Sequence, residues 1–240
     1  MGCKFFWTSI YSLCKQDHDL DFRPLIIMPT VDYRINNKKV PTTTQILSRY
    51  KNSTPLIIWA NRLGLDGKDY FTELKNAGDI GTALHDYAEM EVKGEYYELP
   101  KDEKILNCYN QFIQWWEQQK YDVTWTEKHF CSEKYLYGGT PDLLVNENTL
   151  IDFKTSKGIY SDYLLQGSAY RQLIEENSNY KIEKFVVCRF PKDNTDTEIR
   201  EFSKEDLDTA FAYFSLLREA FDLDKQINNL MKTKGKNDSK

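Results

Sequence analysis

Between Gly138 and Thr155 the chain reads GGTPDLLVNENTLIDFKT, and no other stretch constrains the fold as much. Two short apolar runs, Leu143-Leu144-Val145 and Leu150-Ile151-Asp152-Phe153, flank the turn-forming Asn146-Glu147-Asn148, which is the pattern of a two-stranded hairpin. Side chains alternate across a strand, so Ile151 and Phe153 point to one face while Asp152 and Lys154 point to the other. Pairing returns Asp142, at the mouth of the first strand, close to Asp152. Two acids and a lysine then converge at one end of the hairpin.

Carboxylates held that closely repel each other and share a proton unless a cation lies between them. A hard divalent ion resolves the conflict, since Mg²⁺ takes oxygen ligands at about 2.0–2.1 Å from one or two carboxylates, waters and substrate phosphates. A lysine beside such an ion can orient a water or neutralise charge growing on a phosphate. A plain strand pair with an acidic edge also accounts for Asp152 and Lys154, but it leaves the Gly138-Gly139-Thr140-Pro141-Asp142 run unexplained.

Around the hairpin, three segments bring further polar groups. Lys68 to Lys93 reads as helical: Leu84, Ala88 and Val92 form a stripe that can be buried, with His85 and Glu89 on an adjacent face. Val123, Trp125, Glu127 and His129 share one parity in a strand pattern from Tyr121 to Cys131, which sets Glu127 among apolar neighbours, where a carboxylate needs a cation or a donor. A helix from Ser161 or Asp162 to Asn177 carries Gln166 and Tyr170 four apart on one face. Each of these residues also has a structural reading, as a helix-surface histidine, a solvated acid or polar groups flanking a core.

Pro141-Asp142 followed by Asp152-Phe153-Lys154 resembles the core signature of the PD-(D/E)XK nuclease superfamily, in particular its RecB-type exonuclease branch and phage members of it. Gly81-Thr82-Ala83-Leu84-His85, Glu127, Thr155, Gln166 and Tyr170 match further positions of that branch in order and spacing. The resemblance implies a restriction-endonuclease-like α/β core with a central mixed sheet flanked by helices and an N-terminal helical elaboration. It also implies Mg²⁺ or Mn²⁺ held by His85, Asp142, Asp152 and the Phe153 carbonyl, with Glu127 as a ligand or close neighbour. Asp142, Asp152, Lys154, Glu127, Gln166 and Tyr170 then become the catalytic set. Some relatives carry an iron-sulfur cluster on closely spaced cysteines. The cysteines here, at 3, 14, 108, 131 and 188, are scattered, so no such cluster is expected.

Length and composition are compatible with this reading. The 240 residues, 40% hydrophobic and 14% aromatic, suit one globular domain and exclude a disordered chain. We expect one domain over residues 1–230, divided into an elaboration over 1–65 and a core over 66–230, followed by a disordered tail over 231–240. A net charge of −5 argues against a protein that coats nucleic acid indiscriminately, but leaves room for a local basic groove. Met1 to Leu13 is broken by polar residues and does not read as a signal peptide, Phe6 speaks against myristoylation, and no span reaches transmembrane length. With odd, scattered cysteines, a reducing cytoplasmic setting is expected, including the host cytoplasm for a phage-encoded protein.

Elsewhere the pattern predicts a small hairpin across Asn36-Asn37, a helix capped by a threonine near Pro41 to Leu47, and a helix from Thr54-Pro55 to Gly64. It also predicts a helix over Asp102 to Gln119, strands at Lys184 to Phe190 and Glu198 to Phe202, and a last amphipathic helix from Ser203. Three functions follow: a DNA exonuclease acting on linear ends in recombination, repair or phage DNA processing; a structure-specific or restriction-type endonuclease; or a noncatalytic binding or assembly protein that keeps the fold. DNA is the expected partner, no membrane is, and a homo-oligomer or a recombination-protein partner is compatible with the reading.

Overall fold

Strands rich in β-branched and apolar residues alternate with amphipathic helices along this chain, and they assemble into an α/β architecture of three layers. The computed structural model describes residues 31–193 and 195–234. The expectations placed on Met1 to Leu13, on Cys3 and Cys14 and on residues 235–240 lie outside these residues.

Five strands form the central mixed sheet in the order β3 (Val123–Thr126), β6 (Leu143–Val145), β7 (Thr149–Lys154), β8 (Lys184–Arg189) and β9 (Glu198–Ser203). The β6–β7 hairpin pairs antiparallel with Leu143 opposite Ile151 and Leu144 opposite Leu150. It turns through Asn146 and Glu147, both at positive φ (52° and 61°), the backbone twist that a tight hairpin requires. β7 and β8 run parallel, so the chain must cross over between them, and α5 (Ser161–Asn177) supplies that crossover. Strands buried on both faces need continuous apolar runs, as Leu143-Leu144-Val145 and Phe185-Val186-Val187-Cys188 provide.

Alternation divides these side chains between two cores. Leu143, Ile151, Phe153, Val186 and Cys188 pack on α3 (Tyr70–Lys93) and α4 (Glu103–Trp116), together with Leu84, Ala88 and Phe112. Leu144, Leu150, Phe185 and Val187 pack on α5 and α6 (Lys204–Lys234) through Leu173, Ile174, Leu207 and Phe214. Trp115 and Trp116 both lean on the first of these cores, consistent with packing. The short helix α1 (Thr43–Tyr50) begins with a reciprocal capping box between Thr42 and Gln45, and α2 (Thr54–Leu65) carries Pro55 in its first turn.

The small hairpin expected near Asn36-Asn37 is present as β1 (Arg34–Ile35) and β2 (Lys38–Lys39), with both asparagines at positive φ. Two features depart from the pattern. Gly138 and Gly139 do not belong to the β6–β7 hairpin but to β5 (Tyr137–Gly139), which pairs with β4 (Phe130–Ser132). The last helix runs on through Lys234, into the stretch expected as a polar tail.

Candidate active site

The site is built where β7 ends in Asp152, Phe153 and Lys154. Extending the β6–β7 register one step beyond Leu143 and Ile151 sets Asp142 opposite Asp152. The Phe153 N–H donates to Asp142 Oδ2 at 2.8 Å. From the other side, the Glu127 N–H and the Thr126 hydroxyl donate to the Asp142 carbonyl oxygen at 2.7 and 3.0 Å.

These bonds hold Glu127 at φ 46°, and there the strand pattern that runs on to Cys131 in the sequence is interrupted. β3 covers only Val123–Thr126, with a register shift between Val123 and Trp125. The left-handed residue redirects its side chain, so the shared face expected for Trp125 and Glu127 is corrected. Trp125 packs on Phe130 beside the α5–α6 core, and Glu127 meets His85 of α3.

Helix α3 approaches β7 closely, since a Cβ on Gly81 would lie 3.5 Å from Thr155 Oγ1. One turn later His85 Nε2 donates to the Phe153 carbonyl oxygen at 3.0 Å. Its Nδ1 lies 3.4 Å from both Glu127 Oε1 and Asp142 Oδ2. The ligand atoms of His85, Glu127 and Asp142 fall within 4.8 Å of one another, a spacing that could hold one metal ion. Asp152 stands beside this trio, its side chain 1% exposed, with Lys154 Nζ 2.5 Å from Oδ2. Neither Asp152 oxygen accepts a hydrogen bond of ordinary geometry among the described residues. Buried carboxylate oxygens with spare acceptor capacity, a carbonyl and an imidazole form a donor set suited to a hard divalent ion.

Burial and mutual charge set the protonation of the cluster. Burial pushes Glu127 up to about 7 against the opposing pull of His85. Asp152 is pushed up to about 6, again by burial and despite Lys154. Burial acts on Asp142 too, but the His85 charge, Lys154 and the Phe153 N–H outweigh it and hold the carboxyl below its ordinary value. His85 is drawn down by burial and raised more strongly by Asp142 and Glu127, ending well above an ordinary imidazole. Lys154 follows the same logic: burial lowers it, Asp152 and Asp142 raise it further, and it stays a cation at neutral pH.

On α5, Gln166 Nε2 donates to the Tyr170 hydroxyl at 2.8 Å. Burial raises Tyr170 well above an ordinary phenol, and the charges of Asp142 and Asp152 add to the shift. The Gly138-Gly139 pair has a steric reason. A Cβ on Gly138 would sit 2.3 Å from the Tyr33 ring, and one on Gly139 would sit 2.6 Å from Tyr170 Cε1. Glu89 pairs with Lys93 at 2.6 Å and lies outside the trio of ligand atoms, reaching Glu127 only through its charge. His129 bonds Thr140 Oγ1 at 2.7 Å, and the Tyr33 hydroxyl bonds the same threonine, a structural network behind the Pro141-Asp142 turn.

Sequence reasoning passed over two residues. Tyr163 places its ring 5.1 Å from Lys154 Nζ. The signal was available, because Tyr163, Gln166 and Tyr170 recur at helical spacing along one face. Arg189, buried at the end of β8, donates to the carbonyl of Ser156 and so anchors the loop after Lys154. Nothing local in the sequence marks it.

No protein-family model matches the chain, and no curated protein matches it. Among solved structures it is similar to LHK-Exo, an alkaline exonuclease from Laribacter hongkongensis, at 14% identity and a TM-score of 0.41, covering 62% of this chain and 84% of that one. The same exonuclease in complex with dAMP gives 14% identity and a TM-score of 0.45 over 82% and 94% of the two chains. No helix among the described residues is long and apolar enough to cross a membrane.

Proposed function

We propose that this chain is a metal-dependent deoxyribonuclease of the PD-(D/E)XK type, with a restriction-endonuclease-like core, acting as an exonuclease on linear DNA. One observation carries the reading: Asp142, Glu127, His85 and the Phe153 carbonyl converge beside the Asp152–Lys154 pair, on the residues that form the sequence signature. A fold retained for binding alone has no need to gather three acids, an imidazole and a lysine in one corner, where desolvation is costly.

Asp142, Glu127, His85 and the Phe153 carbonyl, with Asp152 alongside, would hold Mg²⁺ or Mn²⁺, and the imidazole suits Mn²⁺ better. Such an ion, when bound, supplies positive charge that acidifies water and polarises a phosphoryl group. The protein's own groups do the rest. Lys154, kept cationic by Asp152 and Asp142, presents its ammonium to the charge that grows on the phosphoryl oxygens as the ester bond breaks. The Phe153 N–H holds Asp142 in place, and the Thr126 hydroxyl at the end of β3 and the Glu127 N–H just after it fix the backbone at that residue. Gln166, partly exposed and bonded to the buried Tyr170 hydroxyl, can hydrogen-bond a water or the DNA backbone from the α5 side.

Incubating covalently closed circular DNA and end-labelled linear DNA with the protein and Mg²⁺ tests the proposal. Degradation of linear DNA alone is the expected result. Cutting of circles would make it an endonuclease, and no cleavage of either would overturn the catalytic reading.

A further inference from the structure

A ladder of cations and aromatic rings leads away from Lys154. Its ammonium lies 5.1 Å from the centre of the Tyr163 ring. The Tyr163 and Tyr160 rings meet edge to face at 5.7 Å and 70°. Lys51 Nζ then lies 5.9 Å from the centre of the Tyr160 ring. Tyr160 is 47% exposed although it is one of the larger apolar side chains. It occupies the N-cap position of α5 but makes no side-chain capping bond, and tyrosine is not a residue that helix starts favour. Its ring is neither buried nor used as a cap.

The charges around it fit a strand of phosphates. Lys51 is paired to Asp162 at 2.6 Å, but the lysine is 55% exposed, and such surface pairs are weak and readily exchanged for another anion. Lys157, exposed in the loop that Arg189 anchors, adds a third lysine to a chain whose net charge is −5. Phosphate contacts from lysines together with half-exposed aromatic faces are the chemistry by which proteins hold unpaired nucleotides, whose bases stack on rings without regard to sequence.

We infer that Tyr160, Tyr163 and Lys51 form a track for the unpaired end of a DNA strand adjoining the site at Lys154, so that the substrate is gripped as single strand on this side. The inference rests on the nuclease reading and deepens it by naming the state of the strand.

Fluorescence anisotropy of a labelled oligo(dT) and of a blunt hairpin duplex, with Ca²⁺ in place of Mg²⁺, reads the track directly. Tyr160→Ala should weaken oligo(dT) binding roughly tenfold, the loss of one stacking contact, and Tyr160→Phe should restore it. Lys51→Gln should lower the slope of log affinity against log salt by about one. In Mg²⁺, Tyr160→Ala should raise KM on a single strand far more than it lowers kcat. Equal affinity of wild type and Tyr160→Ala for oligo(dT), beside normal cleavage by wild type, would overturn the track and leave the nuclease reading standing. Equal weakening on the duplex would overturn the assignment to unpaired bases. Absence of any Mg²⁺-dependent cleavage by wild type would overturn both readings.

Discussion

His85 Nε2 donates a 3.0 Å hydrogen bond to the carbonyl oxygen of Phe153 while Nδ1 faces the carboxylates of Asp142 and Glu127 at 3.4 Å each. An imidazole surrounded by three acceptors is stabilised as imidazolium, and the surrounding acids raise its pKa accordingly. The histidine therefore supplies the positive charge that the acids require. A metal ion taking that place must displace its proton.

Metal uptake should release protons and tighten as pH rises. His85 is raised, Glu127 is raised to about 7 and Asp152 to about 6, so these three groups hold more protons in the metal-free folded chain than in the unfolded chain from about pH 5 to 8, and His129, lowered by burial, offsets only part of this. Their contribution to stability is full below the unfolded pKa values and is lost as pH rises through the folded ones. Asp142, held low, acts oppositely, but only as pH falls below the ordinary carboxylate range. Calorimetric Mn²⁺ titrations in buffers of different ionisation enthalpy near pH 6.5 should report net proton release. Thermal scans in EDTA should show a falling Tm between about pH 5 and 8, and a pH-independent affinity would contradict this account.

Lys154→Ala should cost turnover on the order of 10²–10³-fold with little change in Ca²⁺-supported DNA binding, the outcome that the role proposed for its charge requires. Lys154→Arg should rescue in part, since guanidinium keeps the charge but not the compact geometry beside Asp152. Removing the lysine also leaves Asp152 buried without its counter-ion. The Tm loss of Lys154→Ala should therefore be greater at pH 8, where Asp152 must ionise, than at pH 5, where it can keep its proton. Single-turnover kinetics and thermal scans check both halves of the expectation.

Two glycines should respond in opposite directions. Gly139→Ala drives a methyl group to 2.6 Å from Tyr170 Cε1 and 3.0 Å from Thr43 Oγ1, an overpacking that costs about 1–3 kcal/mol and displaces the Tyr170 ring. Stability and turnover should both fall. Gly78→Ala, inside α3 with nothing within 4 Å of the added carbon, should stabilise by about 0.5–1 kcal/mol. Urea denaturation of the two variants measures the contrast.

The parts of this molecule legible in the sequence are those fixed by local periodicity. The alternation in Leu143 to Lys154 predicts the hairpin, its turn and the divergence of Phe153 from Asp152, and the structure matches strand for strand. Helical spacing likewise places His85 on α3 and the Gln166–Tyr170 pair on α5. What local pattern could not give was set by contacts distant in sequence. Glu127 adopts its left-handed backbone because the Asp142 carbonyl captures its N–H, and no periodicity encodes that. The two glycines before Thr140 serve the Tyr33 and Tyr170 rings rather than the hairpin, and Arg218 is buried on α6 because it donates to the carbonyls of Tyr135 and Leu136.

Asp142 is the residue on which the cluster depends, since it faces His85, takes the Phe153 N–H and lends its carbonyl to β3. The most direct measurement is single-turnover cleavage of end-labelled linear DNA by wild type and Asp142→Asn, with Mn²⁺ occupancy followed by electron paramagnetic resonance on the same samples and folding checked by circular dichroism. The account predicts metal-dependent cleavage by wild type, and loss of both cleavage and bound Mn²⁺ in a folded Asp142→Asn. A folded variant that still binds Mn²⁺ and cleaves at the wild-type rate would contradict it.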